Sequence, residues 1–221
     1  MNSSSHWEQV YRSKAPDQVS WFQPTAAIAR AIITERLPQR EAAIIDVGSG
    51  ASTLIDDLLD AGYSRVTALD LSAAALARSQ QRLGDRALSV EWLVGDVLTS
   101  DLPAASFDLW HDRAVFHFLT APEDRHRYVA QVVRVLRPGG LAVIATFAED
   151  GPLRCSGLDT MRYSASELHL EFGGDFQLLE SRREAHVTPS GAVQAFTVCV
   201  CACAPRRDAA TVPHPMRPRY R

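Results

Sequence analysis

The sequence predicts an α/β fold, a doubly wound sheet of seven mostly parallel strands with helices on its faces. Short apolar runs alternate with segments of helical periodicity up to the fifth predicted strand. Parallel neighbours in a sheet need such crossover helices. The chain then has two extended runs, residues 175–187 and 192–204, joined by a short turn-rich link. These runs predict an antiparallel pair at one edge of the sheet.

The first four elements follow one another from residue 24. Residues 24–37 place small and apolar side chains at helical spacing behind a proline, which helices favour at their first turn. Residues 42–47, AAIIDV, are a continuous apolar run, the pattern of a strand buried on both faces. Residues 52–62 predict an amphipathic helix that a Ser–Thr pair caps and a glycine ends. Residues 65–70, RVTALD, predict the second strand.

The same alternation continues to residue 147. Residues 72–84 predict a helix, and residues 89–96 and 107–112 predict the third and fourth strands. Residues 123–140 predict a long helix stopped by Pro-Gly-Gly, and residues 141–147, LAVIATF, predict the fifth strand. This alternation of strands with helices predicts that the five strands run parallel.

Three segments fall outside this alternation. Residues 1–23 are polar and loop-like but carry four aromatic side chains, so we expect them to form an aromatic cover over the domain. Residues 147–168 are irregular after the strand, and loops at this edge commonly shape a binding pocket. Residues 205–221 are rich in proline and arginine and predict a disordered basic tail. The domain itself is expected to span residues 24–204.

Composition limits the classes of function. The 221 residues carry a formal net charge of −3 and are 46% hydrophobic, which is ordinary for one soluble domain. A general nucleic-acid-binding domain would usually be strongly basic, so we expect no nucleic-acid partner. The first residues lack an apolar leader, and no run approaches the roughly 18 apolar residues of a membrane span. The sequence therefore predicts a cytoplasmic protein that does not enter a membrane.

Three of the four cysteines alternate on the last predicted strand. Cys199, Cys201 and Cys203 would therefore share one face of the sheet. Such close neighbours cannot form a normal disulfide, and their spacing differs from that of a C-x-x-C zinc site. We expect buried thiols in a reducing compartment and no metal, with a metal or metalloid role as the alternative.

Polar residues follow the predicted strands at the edge where open parallel sheets bind ligands. The first strand ends in Asp46, and Gly48 and Gly50 follow it in a turn whose backbone can approach a ligand closely. Asp70 ends the second strand, where a carboxylate can accept both ribose hydroxyls of an adenosine. Taken singly, each acid could equally cap a helix. Polar residues at the ends of several consecutive strands indicate a ligand site more strongly than any one acid alone.

The third and fourth strands complete this set. Asp96 can accept a hydrogen bond from the exocyclic amine of adenine while the backbone of Val97 contacts the ring. Leu71, which follows the ribose acid, is a further candidate contact. The fourth strand ends in His111, Asp112 and Arg113. Together these positions predict a nucleoside-binding edge.

The ordered set resembles the motifs of class I S-adenosylmethionine-dependent methyltransferases. IIDVGSGAS resembles the first motif of that family, VTALDLS its second-strand acid, VGDVL its adenine-side acid, and LRPGGLAVIATF its entry into the fifth strand. The resemblance covers roughly residues 40–203. It implies that S-adenosyl-L-methionine is the cofactor. It also implies that the last strand inserts antiparallel between the fifth and sixth strands.

One residue departs from the family pattern. Ser52 stands where a third glycine is usual. A dinucleotide would need its pyrophosphate held close to the helix N-terminus, whereas S-adenosylmethionine has no phosphate and needs only room for its aminocarboxypropyl chain. A small residue can therefore serve, which weakens the main rival, an NAD-linked oxidoreductase.

Two segments bear on the methyl acceptor. The chain has no N/D-P-P-Y/F after the fourth strand; instead FDLWHDRAVFHFL resembles the D-R/K-G segment of thiopurine-type and other small-molecule or chalcogen methyltransferases. Some protein-lysine methyltransferases share that segment, and here Ala114 replaces its glycine. The N-terminal residues resemble the cover of the same groups, which assigns Tyr11 and Trp21 to a cofactor lid.

The resemblance implies a methyltransferase, monomeric or homodimeric, with a small-molecule acceptor, and a thiol or related chalcogen is favoured. The alternatives are a protein-lysine methyltransferase and a non-catalytic protein that binds S-adenosylmethionine. Three residues are candidates for the catalytic step: Arg113 to orient an anionic substrate, and His117 and His186 as polar groups near the cleft. His111 is placed with the methionine part of the cofactor. Each histidine could instead be an interior or turn residue, and Arg113 could pair with a nearby acid.

Overall fold

The computed structural model describes residues 4–204 and confirms the predicted α/β fold. The strands within these residues are β1 Ala43–Val47, β2 Arg65–Asp70, β3 Val90–Val94, β4 Phe107–Arg113, β5 Leu136–Phe147, β6 Arg154–Cys155, β7 Leu158–Asp159, β8 Phe176–Val187 and β9 Val193–Cys203. Seven of them form one sheet in the order β3-β2-β1-β4-β5-β9-β8, and β6 and β7 form a separate small hairpin. As the resemblance implied, β9 runs antiparallel between β5 and β8.

In the described part of the chain, six α-helices cover the sheet and its carboxyl edge. They are α1 Ser4–Ser13, α2 Ala27–Arg36, α3 Leu54–Asp60, α4 Ala73–Leu83, α5 Pro122–Val135 and α6 Ala165–Phe172. Ile44 of β1 packs in one apolar cluster with α2, α3 and α4. Its neighbour Ile45 points to the other face and packs in a second cluster with α5 and α6. The unbroken apolar run of β1 thus reflects burial on both faces, as predicted.

The register of the parallel strands brings their polar ends together. Asp46 of β1 pairs with His111 of β4, and Val47 pairs with Leu69 of β2. Asp70 in turn pairs with Val94 at the end of β3. The carboxyl ends of four strands therefore meet at one edge.

The structure corrects the prediction in three places. Residues 1–23 were expected to be loop-like, but α1 is a helix that turns Trp7, Val10 and Tyr11 inward at helical spacing. Residues 147–168 are less irregular than expected, because they contain the β6–β7 hairpin and the start of α6. Helix α5 ends at Val135, before Pro-Gly-Gly, which lies within β5.

The remaining expectations concern the termini and the cysteines. The predicted disordered tail, residues 205–221, lies outside the described residues. Cys199, Cys201 and Cys203 share one buried face, as predicted, and burial raises the pKa of the Cys199 thiol to about 11. Within residues 4–204 no helix is long and apolar enough to cross a membrane. In the same range, no three His, Cys, Asp or Glu side chains are grouped to hold a metal ion.

Candidate active site

The carboxyl edge of the sheet opens into a cleft beneath α1. Five of the predicted cofactor residues line it from the sheet side, namely Gly48, Asp70, Leu71, Asp96 and Val97. Tyr11 and Trp21 line it from the N-terminal side, where the sequence placed a lid. The structure therefore brings the strand-end acids and the aromatic cover to one cavity.

The glycine turn after β1 brings its backbone close to neighbouring segments. Gly48 and Gly50 have φ angles of 62° and 52°, in the left-handed region that favours glycine. A Cβ on Gly48 would lie 2.0 Å from Val115 Cγ2, and one on Gly50 would lie 2.3 Å from the Tyr11 hydroxyl. Neither position has space for a side chain.

Asp70 is fixed by the backbone on both sides. The N–H groups of Gly50 and Ser72 each donate to one of its carboxylate oxygens at 2.8 Å. The residue is only 7% exposed, and burial raises its pKa to about 6 despite these two hydrogen bonds. Above that pH the carboxylate carries a charge whose remaining lone pairs can accept ribose hydroxyls.

The third strand end carries Asp96 and Val97, the residues predicted to contact adenine. Leu98 donates its backbone N–H to Asp96 Oδ1 at 2.9 Å, which orients the half-buried carboxylate. Val97 is buried next to it and lines the same cleft. A carboxylate beside an apolar shelf suits a heteroaromatic ring with an amine at its edge.

The aromatic cover is held together by ring contacts. Trp7 packs edge-to-face against Trp21 and Phe118, with ring centroids 5.7 Å and 5.2 Å apart. Trp21 Nε1 donates to the Tyr11 hydroxyl at 3.3 Å. Trp7 and Phe118 were not among the predicted site residues. Trp7 lies one helical turn before Tyr11, so only recognition of α1 could have revealed it.

Helix α1 is attached beside the ribose acid. Ser72 Oγ and the N–H of Ala74 donate to Glu8 Oε2 at 2.7 Å and 3.1 Å, so Glu8 adds a second cap to α4 beside that of Ser72 itself. The Ser72 hydroxyl and the Ala74 amide hold the pKa of Glu8 below its ordinary value. Ser4 Oγ also donates to the carbonyl of Leu71 at 2.9 Å. Hydrogen bonds therefore join α1 to residues 71–74, directly after Asp70.

A second, smaller cavity lies beside the first, on the side of β1 and β4. Asp46, Ser49, His111 and Arg113 line it. His111 Nδ1 donates to Asp46 Oδ1 at 2.6 Å, and both side chains are buried. Tyr11, Trp21, Gly48 and Arg113 line both cavities, so the two spaces meet at these residues.

The three predicted catalytic residues lie in different surroundings. Arg113 is 13% exposed at the junction of the cavities, 3.5 Å from Glu184 and over the ring of Phe196. His117 is fully enclosed and lines neither cavity; burial and the charge of Arg113 lower its pKa to about 3. His186 donates from Nε2 to the carbonyl of Ser20 at 2.7 Å and also lies outside both linings. Burial lowers its pKa.

Asp112 positions the loop that carries Arg113. Its carboxylate accepts the N–H groups of Val115 at 2.9 Å and Phe116 at 3.0 Å, and the Tyr128 hydroxyl also donates to it. Ala114, which lies between Asp112 and Val115 in the sequence, has a φ of 71°. It occupies the position where the resembled segment has glycine. Burial raises the pKa of Asp112 to about 6. This network fixes the turn between β4 and the cleft.

The site suits S-adenosylmethionine on three grounds. Asp70 and Asp96 both line the cleft, where their carboxylates can accept hydrogen bonds from a ribose and from an adenine amine. The glycine turn leaves no side chain between β1 and the cleft. Buried polar atoms, Asp46 Oδ2 and Ser49 Oγ, lack hydrogen-bond partners within residues 4–204 and face the second cavity.

Comparisons with known proteins find similarity to methyltransferases. Residues 45–144 match the family model described as a methyltransferase domain. The chain is 25% identical over 152 residues to the eEF1A lysine and N-terminal methyltransferase of Danio rerio, covering 67% of this chain and 22% of that protein. It is 31% identical over 121 residues to an uncharacterized methyltransferase of Mycobacterium tuberculosis, covering 53% of this chain and 56% of that protein. The chain thus spans between 22% and 56% of the length of these relatives.

A solved structure is similar over most of the chain. The 1,6-didemethyltoxoflavin-N1-methyltransferase of Burkholderia thailandensis, bound to 1,6-didemethyltoxoflavin and S-adenosylhomocysteine, is 25% identical with a TM-score of 0.63. The alignment covers 88% of this chain and 81% of that one. The sheet topology and the strand-end acids define a class I methyltransferase fold. Residues 45–144 are therefore similar to a methyltransferase domain, and the topology of the sheet agrees with that fold.

Proposed function

We propose that this protein transfers the methyl group of S-adenosylmethionine to a small-molecule acceptor, and that a thiol or related chalcogen is the favoured acceptor. Residues 24–204 would be the catalytic domain and residues 1–23 its cover. The observation that carries the proposal is the wall of the main cleft, where Trp7, Trp21 and Phe118 pack together over the strand-end acids.

The cover favours a small acceptor. Because α1 is attached at Glu8 and Ser4, the cleft lies beneath a helix and three aromatic rings. Such a wall excludes water from a displacement reaction and offers apolar contact to a compact or planar molecule. The Burkholderia thailandensis enzyme, named for a small heteroaromatic substrate, supports this class of acceptor.

The protonation of the candidate bases favours a soft nucleophile. The pKa of His117 is lowered to about 3, so this imidazole is a weak proton acceptor at neutral pH. Burial raises the pKa of Tyr11, so its phenol stays protonated. An amine or hydroxyl acceptor more often needs a base, whereas a thiol with a pKa of about 8.5 ionises readily by itself. Neither His117 nor Tyr11 is suited to act as a general base, which favours an acceptor that loses its proton without one.

The test is a panel of thiol, amine and hydroxyl acceptors, each read by release of S-adenosylhomocysteine. We expect turnover with a small thiol and a loss of at least about tenfold in kcat/KM for Trp7→Ala, because that ring forms the cleft wall. Leu88→Ala, a change at a residue that is 90% exposed, is the control and should match the wild type. Turnover on proteins alone would contradict the small-molecule proposal. Binding of S-adenosylmethionine without product from any acceptor would favour a non-catalytic binding protein.

A second candidate is a protein-lysine methyltransferase. The similarity to the Danio rerio eEF1A lysine and N-terminal methyltransferase favours it. The discriminating assay offers methyl-labelled S-adenosylmethionine with either a small thiol or purified eEF1A. Label in the protein fraction, mapped to a lysine, would replace the first proposal with this one.

A further inference from the structure

The N-terminal segment 20–23 is held by two side chains of β8 that line neither of the two cavities. His186 Nε2 donates to the carbonyl of Ser20 at 2.7 Å, and Gln23 Nε2 donates to Glu184 Oε1 at 2.8 Å. Because Glu184 and His186 are two positions apart on one strand, their side chains point to the same face of the sheet. Neighbouring side chains of β8 therefore hold both ends of this four-residue segment.

Arg113 connects the middle of the segment to the acid of β8. Its Nη1 donates to the carbonyl of Trp21 at 3.3 Å, and its Nη2 lies 3.5 Å from Glu184 Oε1. The guanidinium also lies over the ring of Phe196, the residue of β9 that is directly opposite Glu184. The side chains of Arg113 and Glu184 are 13% and 7% exposed, so the pair is largely shielded from water. Removing either charge would leave the other one buried without compensation.

Trp21 is thus held at its backbone and at its ring. The contacts described above hold the backbone, while the ring Nε1 donates to the Tyr11 hydroxyl at 3.3 Å and the ring packs edge-to-face against Trp7. Trp21 lines both cavities, whereas Glu184 and His186 line neither. These two residues can therefore act on a bound molecule only through the segment that they hold.

We propose that Glu184, His186 and Arg113, together called the clamp, position Trp21 and so determine which acceptors fit the main cleft. The inference rests on the proposed function, in which the ring of Trp21 is part of the wall next to the acceptor. With segment 20–23 held, the space along this wall keeps the width that suits a compact thiol. Without the clamp the segment would move outward, and bulky acceptors would gain relative to compact ones. Glu184 was not among the predicted site residues, and His186 takes a positioning role in place of the predicted catalytic one.

The two β8 residues of the clamp can be changed without altering the lining of either cavity. His186→Phe keeps an aromatic ring and removes the donor, whereas His186→Gln keeps an N–H at nearly the same position. Glu184→Gln keeps a carbonyl oxygen and removes the charge that faces Arg113. Glu180→Gln is the matched control, because it makes the same change on the same strand at an acid that pairs with Arg36.

The first readout is acceptor specificity, measured by release of S-adenosylhomocysteine with benzenethiol and with the bulkier 2-naphthalenethiol. For His186→Phe we expect the KM for benzenethiol to rise about five- to twentyfold while kcat stays within about threefold. The ratio of kcat/KM for the bulky thiol to that for the compact thiol should rise at least about threefold. Glu184→Gln should change both quantities in the same direction. His186→Gln should restore them to within about twofold of the wild type, and Glu180→Gln should match it.

The second readout needs no turnover. In protein labelled with 5-fluorotryptophan, each of the four tryptophans gives a ¹⁹F resonance, and single tryptophan-to-phenylalanine variants assign them. We expect His186→Phe and Glu184→Gln to shift or broaden the resonance of Trp21. The resonance of Trp110, which is fully enclosed in the core, should stay in place and shows that the variants are folded. Glu180→Gln should keep the wild-type spectrum.

Two results would overturn the inference while leaving the proposed function intact. One is a lower kcat for His186→Phe with an unchanged KM and an unchanged ratio between the two thiols, which would mean that His186 acts in the chemical step. The other is a wild-type Trp21 resonance in both β8 variants, which would mean that the clamp does not position this residue. A wild-type protein that methylates neither thiol would instead contradict the proposed function, and the Trp21 resonance would still decide whether the clamp positions that side chain.

Discussion

Replacing Asp70 with Asn tests the residue that we place at the ribose. In the wild type the N–H groups of Gly50 and Ser72 donate to its two oxygens, each at 2.8 Å. An Asn side chain has a single oxygen, so one buried N–H loses its partner, at a cost of about 1–3 kcal/mol. Removing a buried negative charge offsets this cost above pH 6. We therefore expect the free energy of unfolding at pH 7.5 to stay within about 2 kcal/mol of the wild type.

The pH dependence is the sharper readout of the same change. Burial raises the pKa of Asp70 from 3.8 to about 6, so between these values the folded protein binds more protons than the unfolded chain. The contribution of Asp70 to stability therefore falls as the pH rises from about 4 to about 6. The full difference between the folded and unfolded pKa values corresponds to about 3 kcal/mol in the free energy of unfolding. About 1 kcal/mol of this change falls between pH 5 and pH 7.5. Asp70→Asn cannot titrate at this position and lacks this pH dependence. The variant should therefore be less stable relative to the wild type at pH 5 than at pH 7.5, by about 1 kcal/mol in the free energy of unfolding.

Urea unfolding at pH 5 and pH 7.5 measures the slope, and calorimetry with S-adenosylhomocysteine measures the binding. Asp70→Asn should weaken binding at pH 7.5 by about 10- to 100-fold. Wild-type affinity should fall below about pH 6, where the carboxylate is protonated. Asp85→Asn, at an exposed position, should stay within about 0.5 kcal/mol in stability. Wild-type binding by Asp70→Asn, or the same pH dependence of unfolding in both proteins, would contradict the role given to Asp70.

Three further changes test other parts of the site. Gly48→Ala should abolish binding of S-adenosylhomocysteine and lower the free energy of unfolding, measured in urea, by about 2–5 kcal/mol. The reason is that the new Cβ would overlap Val115 and residue 48 has a positive φ. Unchanged binding would contradict this. Glu8→Gln should raise the rate of S-adenosylhomocysteine dissociation about two- to tenfold in stopped flow by weakening the attachment of α1. An unchanged rate would mean that α1 does not gate the cleft. Tyr128→Phe should cost about 1–3 kcal/mol in urea by removing a donor from buried Asp112, and a neutral result would contradict the role given to that network.

The strand ends were predictable because their pattern is local. A continuous apolar run ending in an acid, as at Asp46 and Asp70, is visible in the sequence, and parallel pairing brings such ends to one edge. The same rule predicted the positions of Asp96, His111 and Arg113 at this edge. It could not predict their hydrogen-bond partners, because the contact of His111 with Asp46 depends on strand register.

The missed elements had weaker signals. Helix α1 is only ten residues long and starts in a serine-rich segment, so its Trp7–Tyr11 spacing was overlooked. Helix α6 has a capping box in which Ser164 and Glu167 bond to each other's backbone N–H, and that Ser-x-x-Glu signal was available in the sequence. The enclosure of His117 depends on side chains from other elements, among them Phe147. No local pattern could distinguish it from a histidine in the cleft.

A crystal structure of the complex with S-adenosylhomocysteine tests the central claim most directly, namely that the cleft beneath α1 holds the methyl donor. We expect the ribose on Asp70, the adenine beside Asp96, and the sulfur facing the wall of Trp7 and Phe118. A ligand bound elsewhere, or one whose sulfur faces away from that wall, would contradict the account.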